Sequence, residues 1–227
     1  MTAELLPDIR DNSKAERVYA DLRRRIRELT LPPGTPLRKE EIAANLGVSR
    51  APVSEAIARL AEEGLVDVFP QHGSFVAMIR AADVRESLLI RTALETEAMR
   101  RAASLNETRM LEALDENIRE QERALKARDF VRFYDLDEGL HAAIFGALEM
   151  PRAVRLLDAA RAPLDRVRRL ALPEGGRAGE TLAEHKRIVD ALRSGDPEFA
   201  AAAMRAHLAA VARSIERALA DLDKTGE

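Results

Sequence analysis

The 227-residue chain has no cysteine and no tryptophan, and aromatic residues make up only 4% of it. Without thiols it can form neither a disulfide framework nor a thiolate metal site. Charge of one sign is lacking too: 36 Lys and Arg stand against 39 Asp and Glu, for a net charge of −3. Residues 1–78 carry 11 basic and 12 acidic side chains, so no basic domain hides inside that average. Bulk charge therefore announces neither a nucleic-acid binder nor a membrane-surface protein. No stretch approaches the ~20 apolar residues of a membrane span, and "MTAELLPDIRDNSK" lacks the apolar run of a signal peptide. A cytoplasmic protein with no membrane partner is expected.

What is abundant is Ala, Leu, Arg and Glu, a helix-forming composition in a chain long enough for two domains. Apolar residues at helical intervals (Val18, Leu22, Ile26, Leu29) predict a helix over 13–29, with Ser13 as its N-cap. "TLPPGTPL" breaks it. A short helix then ends at Gly47, and a third runs from a Ser49 cap to Gly64 with Pro52 in its first turn. Leu65–Phe69 and Ser74–Ile79 read as strands joined by "PQHG". Beyond residue 81 the pattern is helical throughout, with helices expected at 81–104, 107–127, 129–149, 152–172, 178–193 and 197–222. Asn106, Asp129 and Asp196 look like caps, and Pro151 and Pro197 sit at first turns. The fold class is mainly α: a winged helix-turn-helix over 1–78 and an all-α bundle over 79–227.

In "EEIAANLGVSRAPVSEAIARLAEEGLV", Ala43 lets two helices approach, Gly47 makes the turn, and Val48 and Val53 fill the gap. The third helix is then held out for a DNA major groove. Its N-terminus presents Ser49, Arg50, Ala51 and Ser54. Arg50 is suited to guanine or phosphate, and Ser49 to phosphate. Arg38 and Lys39 flank the second helix as backbone clamps, and Gln71, His72 and Gly73 form the wing tip. Gly73 supplies the positive φ there. The stretch "LTLPPGTPLRKEEIAANLGVSRAPVSEAIARLAEEGLVDVFPQHGSFV" resembles the GntR family of bacterial transcription regulators over roughly residues 15–77. Relatives commonly carry an Arg at the position of Ser54 and a Thr at that of Ala51. The resemblance thus carries over Arg50 but not the operator of relatives.

Asp137 and His141 stand four apart and so share a helix face, with Leu140, Ile144 and Phe145 around them. His185 and His207 also lie on apolar faces. They flank the "SGDP" turn, ten residues before Gly195 and eleven after Asp196, which makes them level in an antiparallel pair. Three histidines and a carboxylate converging from three helices predict a divalent metal site (Zn, Ni or Mn) with positions left open. Arg91 and Glu95 share the apolar stripe of Val84, Leu88, Ala98 and Ala102. They form either an internal pair or, through Arg91, a grip on an effector carboxylate. Arg161, Arg166 and Arg168 are further candidates, although the "RVRRL" face is expected to be solvated. Asn117 is another candidate.

The stretches "LDEGLHAAIFGALEMP" and "EHKRIVDALRSGDPEFAAAAMRAHL" look like the effector-binding helical (FCD-like) domain of the FadR-type branch of the GntR family. In many members of that branch Asp-x3-His and two later histidines bind a divalent metal. The resemblance implies Asp137, His141, His185 and His207 as ligands, with Leu140 standing where the family usually has Phe. It also implies a small organic or sugar acid as effector, sensed at the metal. The expectation is a homodimeric, ligand-responsive repressor that binds an inverted-repeat operator and is not an enzyme. Two rivals are a regulator for which the metal itself is the signal and a metallohydrolase.

Overall fold

The structure is a computed structural model that describes residues 9–171 and 177–225. The chain divides into two compact units, Met1–Asp83 and Val84–Glu227. The first contains α1 (Ile9–Arg27), α2 (Lys39–Leu46), α3 (Arg50–Glu62), β1 (Val66–Phe69) and β2 (Gly73–Val76). Helix α1 begins ahead of Ser13, because nothing in 9–12 interrupts it; Ser13 is therefore an interior position and not the cap expected from sequence. The helix also stops at Arg27, and Leu29 adopts a left-handed φ of 59° before the prolines are reached.

Helix α1 lies against α3, with Val18, Leu22, Ile26, Val53, Ile57 and Leu60 buried. Polar ties reinforce the contact. The Tyr19 hydroxyl donates to Glu63, Arg23 Nε donates to Glu63 Oε2 at 2.8 Å, and the Arg59 guanidinium stacks 3.8 Å from the Tyr19 ring. Between α2 and α3, Gly47 turns left-handed at φ 65° and donates its N–H to Ala43 and Ala44 carbonyls. Strands β1 and β2 pair antiparallel, Val66 opposite Val76 and Phe69 opposite Gly73. Both strands are shorter than expected. Leu65 returns its N–H to Leu60 O at 2.9 Å, closing α3, while its carbonyl accepts from Ala77 N at 3.0 Å. Residues 34–37 run along β2, through Gly34 N to Val76 O and Leu37 N to Ser74 O, each 2.8 Å.

The second unit is helical: α4 (Ala81–Leu105, which begins just before it), α5 (Thr108–Ala127), α6 (Phe130–Ala147), α7 (Pro151–Ala171), α8 (Ala178–Arg193) and α9 (Pro197–Thr225). Asp129 caps α6 by accepting from Arg132 N at 3.0 Å, and Asp196 caps α9 by accepting from Glu198 N and Phe199 N. Asn106 is not a cap. It takes φ 46°, a conformation Asn tolerates, and ends α4, while Glu107 stands at the N-cap of α5. Helices pack as a closed ring in the order α5, α6, α7, α9, α8 and back to α5. Helix α4 runs antiparallel to α9, tied by Arg85–Glu216 and Arg100–Glu198 ion pairs.

Leu114, Phe133, Leu140, Ile144, Met204 and Leu208 fill the core of this ring. Its interior is not purely apolar: Arg91, Glu95, Gln121, Asp137, His141, Arg161, Arg166, His185 and His207 are all buried there. The burial of Arg166 and the 14% exposure of the Arg168 side chain correct the expectation of a solvated "RVRRL" face. Their helix lies between α6 and α9, so that face turns inward. Among the described residues, no helix is long and apolar enough to cross a membrane.

Candidate functional site

Asp137 and His141 come from α6, His185 from α8 and His207 from α9. One ligand atom from each lies within 4.8 Å of the others. The three imidazole centroids are 5.0–5.5 Å apart. Donors bonded to one ion at about 2.1 Å stand at most about 4.2 Å apart, so the four are close to a coordination sphere already. The antiparallel α8–α9 hairpin brings His185 and His207 level, and the i, i+4 spacing on α6 puts Asp137 and His141 one turn apart on the same inward face.

Each histidine has one nitrogen engaged from behind. A chain of hydrogen bonds fixes His185. Asn117 Nδ2 donates to the Leu136 carbonyl at 3.0 Å, so Asn117 Oδ1 must face Gln121 Nε2, 2.7 Å away. Gln121 Oε1 is then left to accept from His185 Nδ1 at 2.8 Å. A backbone carbonyl can only accept, so the whole relay runs one way and puts the His185 proton on Nδ1. His207 Nδ1 meets Glu184 Oε2 at 2.8 Å, and Arg177 holds that carboxylate. His141 Nδ1 faces Glu95, whose other oxygen accepts from Arg91 Nε at 2.7 Å.

The nitrogens on the inner side tell the rest. His141 Nε2 and His185 Nε2 are buried without a hydrogen-bond partner. With its proton on Nδ1, His185 presents a bare lone pair at Nε2, 3.2 Å from Asp137 Oδ1. Two acceptors facing each other in a buried site repel unless a cation, a metal ion or a second proton on the imidazole, lies between them. This arrangement fits a divalent metal. Burial pushes His141 down to about 3, against the pull of Glu95, and His207 down to about 4. Both are therefore neutral imidazoles near pH 7, the form that ligates. Burial alone would raise the Glu95 pKa, but Arg91 and His141 hold it well below the usual carboxylate range.

The effector candidates divide. Arg91 and Glu95 form the internal pair that their spacing allowed. Asn117 belongs to the relay behind His185. Arg161 is 4% exposed, yet its Nε and Nη2 have no hydrogen-bond partner. Burial and the nearby Arg91 lower its pKa. Arg168 stacks on the Tyr134 ring at 4.7 Å and brings Nη1 to 3.7 Å from Asp137 Oδ2, beside a small cleft lined by Arg177 and Thr181. Sequence reasoning missed Gln121 and Glu184. Gln121 had a readable signal, a polar residue in line with Met110, Leu114 and Ile118 on the inner stripe of α5. Glu184 had none, since it borders the stripe.

In the first unit, Ser49, Arg50, Ala51, Gln71, His72 and Gly73 are exposed, Ser54 and Lys39 half-buried. Gly73 has φ 103° at the wing tip. Arg38 pairs with Glu41 at 2.9 Å, and Arg50 with Glu40 at 2.8 Å.

A family pattern described as "Bacterial regulatory proteins, gntR family" matches residues 14–76, and one described as "FCD domain" matches 86–210. The chain belongs to the GntR family. Within GntR proteins, an HTH-type transcriptional regulator from an unstable DNA locus of Streptomyces ambofaciens is 38% identical, covering 88% of this chain and 84% of its own. The HTH-type transcriptional repressor RspR of Escherichia coli K12 is 33% identical over 89% of each chain. The crystal structure of a GntR regulator from Rhodococcus sp. RHA1 superposes with a TM-score of 0.72 at 25% identity, covering 92% of this chain and 98% of that one. GntR proteins are transcriptional regulators and not enzymes, which removes the hydrolase reading. The winged helix is their DNA-binding module and the helical ring is the FCD domain.

Proposed function

We propose that this GntR protein is a ligand-responsive repressor whose FCD domain holds a divalent metal (Zn, Ni or Mn) through Asp137, His141, His185 and His207. The observation that carries this reading is the pair of facing acceptors, His185 Nε2 and Asp137 Oδ1, among buried side chains. Four protein ligands leave coordination positions open, and a bound metal would supply a Lewis-acidic anchor for an oxygen ligand. Arg161, buried with two unpartnered N–H groups, is matched to the carboxylate of a small organic or sugar acid. Arg91 adds positive field while it remains paired to Glu95. Burial of all four side chains favours a resident ion over one that arrives as the signal.

A homodimer on an inverted-repeat operator gives this chemistry its output, because two-fold protein and two-fold DNA match. An acid that binds one arrangement of the dimer better shifts operator affinity by that difference. Repression, as RspR's name states for RspR, is the sign we assign. The test is metal analysis of the purified protein, followed by a thermal-shift screen of small carboxylic acids and an operator-binding titration. Metal in wild type, its loss in His185→Ala, and an acid that stabilises the former only are the expected results. Full metal occupancy in His185→Ala would reject the site.

A further inference from the structure

The DNA-binding unit carries no basic excess, with 11 basic against 12 acidic residues in 1–78. Long-range attraction to phosphates therefore contributes little, and discrimination rests on directional contacts. Two acids in the first turn of α2 sharpen the point. Glu41 neutralises Arg38, and Glu40 reaches across to the first residue of α3, its Oε1 2.8 Å from Arg50 Nη2. Arg50 is the one arginine in the exposed first turn of the recognition helix, since Ala51 and Ser54 follow it.

We propose that Glu40 and Arg50 act as one unit that reads a single G·C base pair. The proposal rests on the reading of α3 as the major-groove helix. Arg50 donates to guanine O6 and N7, while Glu40 keeps the guanidinium fork pointed at the bases and accepts from the cytosine amino group. The physical case has two parts. An arginine fork has more donor edges than guanine uses, so a carboxylate can hold one edge while the base takes another. A carboxylate also opposes phosphate. If Arg50 swung to the backbone, Glu40 would be left facing the bases alone or drawn against the DNA charge. In water an exposed pair of this kind is weak, but in a major groove from which water is displaced it strengthens. Glu40 is thus a specificity-determining residue that lowers affinity for wrong DNA.

The test uses the full chain and a randomised duplex library. Wild type, Glu40→Gln and Arg50→Ala are each put through selection, then titrated by anisotropy against the selected duplex and a scrambled one at several salt concentrations. Wild type is expected to select one G·C pair per half-site that Arg50→Ala relaxes. Glu40→Gln should cut the preference for that pair roughly 3- to 10-fold while tightening binding to the scrambled duplex and steepening the salt slope by about one. Both residues are exposed, so melting temperatures serve only to confirm folding. An unchanged preference in Glu40→Gln overturns the proposal, as does an equal loss of affinity for every duplex. If wild type enriches no duplex at all, the reading of α3 falls first, and the proposal with it.

Discussion

A histidine offers a metal one nitrogen in a defined direction only when its other nitrogen is already engaged. Gln121 does this for His185 with a neutral amide, whereas Glu95 and Glu184 do it for His141 and His207 with carboxylates. Replacing Gln121 with Met leaves the volume nearly unchanged and strands the His185 Nδ1–H. Metal affinity should then fall about 10- to 100-fold, read by competition with a chelating dye. An unchanged affinity would show that the relay is decorative. A second residue-level prediction concerns Tyr19, whose phenol is pushed up to about 12 by burial and its hydrogen bond to Glu63. The unfolded chain loses that proton near pH 10, so this group's contribution is intact below pH 10 and is lost as pH rises through 12. Absorbance at tyrosinate wavelengths, wild type minus Tyr19→Phe, should show no step below about pH 11 while the protein is folded.

Helix α6 carries two of the four proposed ligands and is started by a side-chain cap, Asp129 on Arg132 N. Asp129→Ala should cost about 1 kcal/mol in denaturant unfolding and leave metal stoichiometry intact. That outcome separates loss of stability from loss of a ligand. The elements were legible because their punctuation is local: Gly47, Pro151 and Pro197 mark boundaries through their backbone and Asp129 and Asp196 through capping side chains. Asn106 misled because the same tolerance for unusual backbone serves a helix's end as well as its start. Placing His185 level with His207 needed only the helical rise and the turn between them. The inward turn of Arg166 and Arg168 was not legible in this way. Periodicity reports which face of α7 is distinct, but not that this face packs between α6 and α9, where Asp137 of α6 meets Arg168. Glu184 was hidden for a related reason, since its partner lies 23 positions away on the next helix.

At the scale of the whole chain, the FCD unit stands out because every one of its helices sends a polar side chain into the ring. Glu95 comes from α4, Gln121 from α5, Asp137 and His141 from α6, Arg161 from α7, His185 from α8 and His207 from α9. Such a core is costly to bury, and Arg161 keeps two nitrogens without a hydrogen-bond partner in it. A bound metal offsets the facing acceptors but adds charge beside Arg161. Chelation should lower the melting temperature by on the order of 10 °C if the metal is present at about a thousand times its Kd. Loss of hydrogen-exchange protection should be greatest in α6, α8 and α9. Arg161→Met tests the opposite side of the balance. Removing a buried guanidinium with two unpartnered nitrogens relieves a penalty, so the metal-loaded variant should melt at or above the wild-type temperature. It should also keep its metal and lose the stabilisation given by whichever carboxylic acid binds the parent protein. A variant that still responds to the acid would place the carboxylate elsewhere in the ring, whereas one that melts early would make Arg161 part of the packing. Only the combination of retained metal, retained stability and lost acid response identifies Arg161 as the group that the effector completes.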